Sequence, residues 1–151
     1  MKVVLQRVKR ASVTVKKKII GEIGPGLCLL VGIEKGDSEG DALFIARKIV
    51  ELRIFPDAQD KMNLSLSDMG GEVLAVSQFT LAGSLKKGRR PSFDKAELPV
   101  RARELFDYFV DCVRERGIPV QTGEFAEVMD VALVNDGPVT FILESHKFSD
   151  S

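Results

Sequence analysis

The opening part of the chain alternates polar and apolar residues with the two-residue period of half-buried β-strands. This pattern predicts three strands, over residues 3–8, 11–15 and 19–23. The next apolar run, residues 27–33, is uninterrupted. A continuous apolar run of this length is typical of a strand that is buried on both faces. We therefore expect a sheet in this part of the chain, with one strand in the core.

Two later stretches carry apolar residues at helical spacing. The first helix is predicted to begin near Asp37 or Ser38, because either side chain can cap it. The second is predicted to begin at Pro99, where a missing N–H costs nothing, and to end before Gly117. The predicted apolar positions of the first helix are Ala42, Ile45, Ala46, Ile49, Val50 and Leu52.

Three more strands are expected between and after the helices. Residues 73–76 follow a Gly-Gly turn, and residues 128–134 and 139–143 are the last two strands. A polar, glycine-containing stretch, residues 83–95, is long enough to be a functional loop.

Together these elements predict an α+β fold in one domain over residues 1–144. We expect a mostly antiparallel sheet curled into a partial barrel, with two main helices packed on it. Residues 145–151 are polar, and we expect them to form a loose tail.

Composition and charge narrow the function classes. The chain has 151 residues, with 22 Lys plus Arg and 22 Asp plus Glu, so contacts with nucleic acid must come from local patches. No apolar run approaches the ~20 residues that span a bilayer. Cys28 and Cys112 lie in apolar patterns and are interpreted as reduced core residues. We expect a cytoplasmic protein without membrane contacts or a disulfide.

The residue content of the chain argues against several common kinds of catalytic site. The only histidine, His146, lies in the tail, which argues against a Ser-His-Asp or Cys-His site. One histidine and two core cysteines also disfavour zinc, and no glycine-rich phosphate loop is present. We therefore expect no metal and no cofactor.

The segment Ser77-Gln78-Phe79-Thr80 closes a predicted strand. Along a regular strand Ser77 and Gln78 would face opposite ways, so the four residues share one wall only if the strand ends or bulges there. One interpretation is a strand end whose side chains satisfy backbone groups. The other is an oxyanion hole formed by the N–H groups of Phe79 and Thr80.

The segment 135–140, Asn-Asp-Gly-Pro-Val-Thr, closes another apolar run. Its Gly137-Pro138 corner is consistent with a hairpin turn between the last two strands. If the bond is cis, the two carbonyls could instead point the same way and form a rigid polar wedge.

The two segments together closely resemble the signature pair of the D-aminoacyl-tRNA deacylases. The resemblance covers the chain to about Leu143. It continues through Gln6-Arg7-Val8, Ala11-Ser12-Val13, Lys61-Met62-Asn63-Leu64, Arg90-Pro91-Ser92-Phe93 and Gln121-Thr122-Gly123.

This resemblance implies a homodimeric enzyme that hydrolyses the ester at the 3′ end of a D-aminoacyl-tRNA. It implies that Ser77, Gln78, Phe79 and Thr80 form the catalytic segment. A cis Gly137-Pro138 from the other subunit would reach into that pocket and reject L-amino acids, whereas glycyl-tRNA would be accepted.

Two further pocket residues are implied by the same resemblance. Arg7 is expected to brace the Gly-Pro turn, and Met129 is expected to form a wall of the pocket. An aminoacyl ester is already activated, so positioning, water and oxyanion stabilisation suffice, with help from the 2′-hydroxyl of the RNA. Thr80 as a covalent nucleophile is the rival mechanism.

Two basic clusters remain. Lys86, Lys87, Arg89 and Arg90 follow the catalytic segment, and residues 16–18 are three consecutive lysines at a hairpin tip. Each is an ordinary solvated loop when taken alone, but beside an RNA-ester pocket the 86–90 loop is expected to hold acceptor-stem phosphates. DNA is not an expected partner. The alternatives are a non-catalytic tRNA-binding module and a hydrolase of small D-amino acid esters.

Overall fold

A strand of 14 residues organises the sheet in the computed structural model, which describes residues 1–148. The strands are β1 (Lys2–Val15), β2 (Lys18–Ile23), β3 (Gly26–Gly32), β4 (Phe55–Pro56), β5 (Met62–Leu64), β6 (Glu72–Ser77), β7 (Val120–Thr122) and β8 (Asp130–Glu144). The helices are α1 (Glu39–Glu51) and α2 (Pro99–Arg114), with short 3₁₀ helices at Phe79–Ala82 and Ser145–Lys147.

The main sheet is mixed rather than mostly antiparallel. β1 pairs antiparallel with β8 on one edge and with β3 and then β2 on the other. β3 pairs parallel with β6, and β6 pairs parallel with β7. These two parallel pairs exist because α1 and α2 carry the chain back to the same end of the sheet before the next strand begins. The expected α+β fold with two helices on a curled sheet is confirmed. The expectation of a mostly antiparallel sheet is wrong, because β3–β6 and β6–β7 are parallel pairs.

The sheet curls until it is nearly closed into a barrel. β2 lies against β6 and β7, and a Cβ atom on Gly21 would be 3.0 Å from the carbonyl oxygen of Thr122. The inside of this curl holds one apolar cluster, which includes Val8, Val13 and Leu74. The other face of the sheet packs against both helices through a larger cluster, to which Phe109 belongs.

β1 and β8 are each one continuous strand, whereas the sequence predicted two strands in each place. In β1 the alternation breaks at Arg7 and Val8, which are both buried, and at Lys9 and Arg10, which are both exposed. The pairing with β8 shifts register at the same place. A bulge therefore produces the break in the pattern without ending the strand.

Both helices begin where the sequence predicted. Ser38 is the N-cap of α1, and its backbone N–H donates to Oδ2 of Asp41 at 2.8 Å. Pro99 is in the first turn of α2. Within residues 1–148, no helix is long and apolar enough to cross a membrane.

The residues that follow β8 are packed, so the predicted loose tail is wrong for residues 145–148. The Met1 ammonium donates to Oδ1 of Asp37 at 2.6 Å and to Oγ of Ser145 at 2.9 Å. Nε2 of His146 lies 2.8 Å from the same Asp37 oxygen. The Phe148 ring lies 5.4 Å from the Phe44 ring, between centroids. Residues 149–151 of the predicted tail lie outside the described residues.

The backbones of β3 and β6 approach each other very closely where the parallel pair begins, at Gly26 and Glu72. A Cβ atom on Gly26 would lie 1.9 Å from the carbonyl oxygen of Glu72, so only glycine fits there. Gly26 pairs with Glu72, and the register continues to Val31 opposite Ser77.

Candidate active site

β6 carries the predicted catalytic segment to the edge of the core. Residues 73–76 are buried, and Ser77 is half-buried. The N–H of Gln78 makes the last bond of the pair, to the Val31 carbonyl at 2.8 Å. The strand therefore ends at Ser77, which is the condition under which these side chains can share one site.

A 3₁₀ helix begins immediately after the strand. Its first bond runs from the N–H of Leu81 to the Gln78 carbonyl, at 3.2 Å. Because a helix of this kind links each N–H to the residue three positions earlier, the N–H groups of Phe79 and Thr80 precede the first bond. No backbone carbonyl within residues 1–148 accepts from either of them. Two neighbouring donors are thus left for another acceptor.

Two side chains of this segment, those of Gln78 and Thr80, contact each other. Nε2 of Gln78 donates a hydrogen bond to Oγ1 of Thr80. Phe79 projects outward and is 59% exposed. The side chains of Ser77, Gln78 and Thr80 add two hydroxyls and an amide to the two free N–H groups, and they include no strong base.

The predicted catalytic segment forms one wall of a cavity of about 680 Å³. Three segments of the chain line the cavity. They are Val76, Ser77, Gln78 and Phe79; then Phe93, Ala96, Glu97, Pro99 and Ala102; and then Phe125, Ala126, Glu127, Val128, Met129 and Val131, together with Ile33, which follows β3. Thr80 is not among the lining residues, although its hydroxyl is bound to Gln78, which is.

Met129 lies in the wall of this cavity. A Cβ atom on Gly123 would lie 2.6 Å from Sδ of Met129, so the glycine leaves room for the methionine side chain. The sequence placed Met129 at the pocket through the family resemblance alone.

Two aromatic residues of the cavity, Phe93 and Phe125, were not predicted as site residues. The Phe93 ring packs edge-on against the Phe79 ring, with centroids 5.1 Å apart. The Arg103 guanidinium lies over the Phe125 ring at 5.9 Å. Phe93 belongs to one of the motifs that carry the family resemblance, which was the available signal. Phe125 lies between strands, where no periodicity marks it.

One interpretation of the sequence placed a hairpin turn at the Gly-Pro segment. The structure shows no hairpin there. Gln6 pairs with Thr140 and Val8 pairs with Asn135, so the residues between Asn135 and Thr140 bulge out of a strand that continues along β1. The Gly137-Pro138 bond is cis, and both residues are exposed.

The bulge is held from both sides. The side-chain amide of Asn135 closes it through Val139 and Thr140. Arg7, which is 8% exposed, donates from Nε to the Asp136 carbonyl at 2.9 Å and from Nη1 to the Ile54 carbonyl at 2.7 Å. Its Nε is also 3.7 Å from a carboxylate oxygen of Asp136. Arg7 therefore contacts the Gly-Pro segment.

Gly137 and Pro138 are not among the residues that line the cavity of their own chain. The structure thus brings Ser77, Gln78, Phe79 and Met129 together, and it leaves Gly137, Pro138 and Arg7 at a second location.

The predicted RNA-contacting loop lies beside the cavity. Lys86, Lys87, Arg89 and Arg90 are all exposed. The loop is closed by two backbone bonds between Ser84 and Ser92, at 2.7 and 2.9 Å, and Ser92 precedes the cavity residue Phe93. None of the four cations forms an ion pair within the described residues.

No cysteine or histidine is among the residues that line the cavity. Cys28 and Cys112 are free and buried, and burial raises the pKa of the Cys28 thiol to about 11. Asp37, Asp41 and His146 bring possible ligand atoms within 4.8 Å of one another, but the Met1 ammonium already holds Oδ1 of Asp37. The cavity therefore offers backbone N–H groups, the Ser77 hydroxyl, aromatic surface and the carboxylates of Glu97 and Glu127 as its chemistry.

Comparison with known sequences places these features in a family. The sequence model of the family described as D-Tyr-tRNA(Tyr) deacylase matches residues 4–144. A protein of Pelobacter propionicus named D-aminoacyl-tRNA deacylase is 60% identical over 144 residues, which cover 95% of this chain and 99% of that protein. A protein of the same name from Geobacter sp. is 58% identical over 145 residues, covering 96% of this chain and 97% of its own.

Solved structures with the same fold are also known. One described as c-Myc DNA Unwinding Element Binding Protein superimposes with a TM-score of 0.90 at 41% identity, covering 95% of this chain and 98% of its own. Another, described as a probable eukaryotic D-amino acid tRNA deacylase, has a TM-score of 0.81 at 19% identity and covers 94% of this chain and 97% of its own. At that identity the second likeness supports the fold alone.

Proposed function

The chain belongs to the D-Tyr-tRNA(Tyr) deacylase family, and we propose that it cleaves the ester of D-aminoacyl-tRNA at the segment Ser77 to Thr80. Its activity is that of a D-aminoacyl-tRNA deacylase, a hydrolase acting on an ester bond, with aminoacyl-tRNA as substrate. We propose where the site lies in this chain, how it cleaves the ester and how it selects the D-isomer.

The observation that carries the proposal is the pair of free N–H groups at the beginning of the 3₁₀ helix. Phe79 and Thr80 donate to no backbone carbonyl in the described part of the chain, and Phe79 lines the cavity. Donors that are already oriented towards a developing negative charge stabilise the transition state without rearrangement. In this proposal the ester lies at the Phe79 end of the cavity, where its carbonyl oxygen accepts from the N–H of Phe79 and from that of Thr80, the residue that follows the lining.

Hydrolysis then needs only a positioned water molecule. The water attacks the ester carbonyl carbon, the oxyanion forms against the two N–H groups, and the bond to the ribose 3′-oxygen breaks. The adjacent 2′-hydroxyl of the RNA relays a proton to that leaving oxygen. No histidine lines the cavity, and this mechanism assigns no role as a base to the two carboxylates in the lining, Glu97 and Glu127.

Selection of the D-isomer is assigned to Gly137 and Pro138 of a second copy of the chain. Both residues are exposed and braced, yet they do not line the cavity of their own chain. A wedge supplied in trans makes each site complete only in a homodimer. An L side chain would collide with the wedge, whereas glycine has no side chain to reject, so glycyl-tRNA is also expected to be hydrolysed.

The outer edge of β8 is the surface proposed for dimerisation. Among the described strands β8 pairs only with β1, so one edge of this 15-residue strand is unpaired. Ile142 on this strand is 64% exposed. A long apolar edge is a surface that a second identical chain can cover by a two-fold axis.

The setting proposed for this activity is the cytoplasm, where aminoacyl-tRNAs are used. The two free thiols of Cys28 and Cys112 suit a reducing compartment.

The decisive experiment measures deacylation of D-tyrosyl-, L-tyrosyl- and glycyl-tRNA by the purified protein in the presence of EDTA. We expect rapid loss of the D-ester and of the glycyl ester, with the L-ester spared. Equal rates for the D- and L-esters would contradict the wedge, and loss of the D-activity in EDTA would contradict the metal-free mechanism.

Sharing of the site between subunits is tested by mixing two inactive or unselective variants. Phe79→Pro removes a proposed oxyanion donor, and Pro138→Ala alters the wedge. In a mixed dimer one of the two sites has both parts intact. Selective D-activity that appears only after mixing supports a site built in trans, and its absence in demonstrated mixed dimers refutes it.

A further inference from the structure

The turn between β1 and β2 has lysines in an unfavourable backbone conformation. Val15 pairs with Lys18, so Lys16 and Lys17 form a two-residue turn. Their φ angles are 49° and 65°, which is the left-handed region for both residues. Turns of this kind are normally made by Asn-Gly or Gly-Gly, because those residues adopt left-handed angles easily. Neither Asn nor Gly is present in this turn, and its two positions are occupied by the positively charged Lys16 and Lys17.

This turn lies beside the cavity proposed as the active site. Val13 of β1 pairs with Val131, which lines the cavity. A Cβ atom on Gly123, at the end of β7, would be 3.6 Å from Cγ1 of Val13. Lys16 follows Val13 by three positions, so the rise of a strand puts the turn about 10 Å beyond the cavity wall.

The charges of the turn are available for a ligand. Lys16, Lys17 and Lys18 are all exposed, and none of them forms an ion pair in the part of the chain that the structure describes. The acidic residue nearest in the strand pairing is Asp130, opposite Thr14, at the base of the hairpin. The tip itself carries three consecutive positive charges and no negative charge.

The cavity therefore has a basic segment near two of its walls. The 86–90 loop adjoins the wall that contains Phe93, and the 16–18 turn adjoins the wall that contains Met129 and Val131. A terminal nucleotide in the cavity is covalently joined to the rest of the RNA. The RNA backbone with its phosphates must therefore pass over the rim of the cavity.

We propose that the Lys16–Lys18 turn is a second phosphate-binding surface for the acceptor arm of the RNA substrate. This inference rests on the proposed function, because it takes the cavity as the place where the 3′ end is held. Strained backbone that persists at an exposed position is a reason to look for function there. The function here is to place ammonium groups at the rim, where they hold the RNA body while the ester lies in the cavity.

An anionic membrane is the competing partner, because Ile19 and Ile20 beside the lysines are exposed. The position of the turn at the rim of a pocket for an RNA ester favours RNA. The two partners are separated by measuring binding to vesicles that contain anionic phosphatidylserine alongside binding to RNA.

The test uses the double variant Lys16→Asn/Lys17→Gly, which supplies the residues that a left-handed turn prefers. Binding is measured with a D-tyrosyl-tRNA analogue whose ester is replaced by an amide, over a series of salt concentrations. We expect weaker binding by several-fold and a slope of log affinity against log salt that is smaller by about 1 for each lysine that contacts phosphate. The thermal midpoint is expected to stay the same or to rise.

Two measurements exclude a merely structural effect. Hydrolysis of 3′-O-D-tyrosyl-adenosine, which has no RNA body, is expected to be unchanged in the double variant. Lys61→Asn, an exposed lysine in the loop between β4 and β5, is the matched control and is expected to leave the salt slope unchanged.

Several results would overturn the inference. An unchanged salt slope in the double variant refutes phosphate contacts at the turn, and equal loss of activity on the adenosine ester indicates a structural effect. Binding to anionic vesicles that depends on the lysines, without an effect on RNA, assigns the turn to a membrane. If the unaltered protein binds the analogue but hydrolyses no D-ester, the proposed function fails, and the salt slopes still decide this inference.

Discussion

The side-chain amide of Asn135 binds both backbone polar groups of Val139. Its Oδ1 accepts from the Val139 N–H at 2.7 Å, and its Nδ2 donates to the Val139 carbonyl at 3.1 Å. One side chain thereby replaces a strand partner across the bulge that contains Gly137 and Pro138. The shape of the exposed Gly-Pro corner is thus set from within the same segment.

Asn135→Ala is expected to reduce the discrimination between D- and L-esters. Removal of three neutral hydrogen bonds loosens the bulge by about 3 kcal/mol, so the proposed wedge gives way to an L side chain. A loss of about 1.4 kcal/mol in rejection is tenfold in the ratio of rates. Single-turnover deacylation of D- and L-tyrosyl-tRNA measures this ratio.

Thr140→Val serves as the control for Asn135, because it removes the bonds from Asn135 and Gln6 to the Thr140 hydroxyl and keeps both bonds between Asn135 and Val139. It should change the ratio much less. A full D/L ratio in Asn135→Ala, together with a lower thermal midpoint, would mean that the bulge matters for folding alone.

Arg7→Ala is expected to destabilise the fold by about 3 kcal/mol, because a buried charged donor is lost and the buried Ile54 carbonyl is left without its partner. Urea unfolding measures the loss. Arg10→Ala is the matched control, since Arg10 lies on the same strand and is exposed. Comparable losses in both variants would show that Arg7 has no special bracing role.

Phe79→Pro tests the oxyanion donor with little change of backbone. Phe79 is the first residue of the 3₁₀ helix, where proline is tolerated, and its N–H makes no backbone bond in the described chain. Loss of one such donor is expected to lower the rate of D-ester cleavage about a hundredfold or more. Phe79→Ala, which removes the ring and keeps the N–H, is the control.

The same assay distinguishes the rival mechanism in which Thr80 is the nucleophile. Thr80→Val keeps the backbone N–H and removes the hydroxyl, so it should retain activity within about tenfold if the backbone acts. Abolished activity in Thr80→Val, or trapping of an acyl group on Thr80, would support the nucleophile instead.

Lys86→Ala/Arg89→Ala is expected to weaken binding of the amide analogue and to lower its salt slope by about 2, because each removed cation leaves one phosphate unneutralised. Rates on 3′-O-D-tyrosyl-adenosine should not change, because that substrate has no phosphates. Fluorescence anisotropy over a salt series makes the measurement. A slope equal to that of the unaltered protein would exclude this loop from RNA binding.

The carboxyl of Asp57 makes the free energy of unfolding depend on pH in the acid range. Hydrogen bonds from the backbone N–H groups of Lys61 and Gln59 hold the pKa of the Asp57 carboxyl below its ordinary value of 3.8. The unfolded chain therefore binds the proton more readily, so the contribution of Asp57 is present above about pH 4 and is lost as the pH falls through the folded-state pKa.

Asp57→Asn should accordingly be less stable than the unaltered protein at pH 7, and the difference should narrow below pH 4. Urea unfolding at a series of pH values tests this, with Asp107→Asn on the exposed surface of α2 as control. A difference that stays constant down to pH 3 would contradict the assignment.

Local signals in the sequence were sufficient for much of this fold. Helical spacing and the Ser38 and Pro99 signals located both helices, and the polar residues after the buried run predicted the end of β6 at residue 76, one position before its end at Ser77. These features depend on neighbouring residues, so a single sequence contains them.

Features that depend on distant partners were predicted less well. β8 continues through Gly137 and Pro138 because β1 pairs with it on both sides of the bulge, and no local pattern records that pairing. The tail packs because the Met1 ammonium and Asp37 hold Ser145 and His146. Phe125 joins the cavity through the curl of the sheet, which brings the end of β7 beside β1.

The close approach at Gly26 has a consequence for any attempt to redesign the enzyme. Gly26 and Ser77 lie at opposite ends of the same parallel ladder, so the glycine sets the register that delivers the proposed catalytic segment. A side chain at position 26 would push the two strands apart, and the displacement would be carried along β6 to the cavity. Libraries restricted to pocket-lining positions would therefore omit a residue that controls where the pocket is.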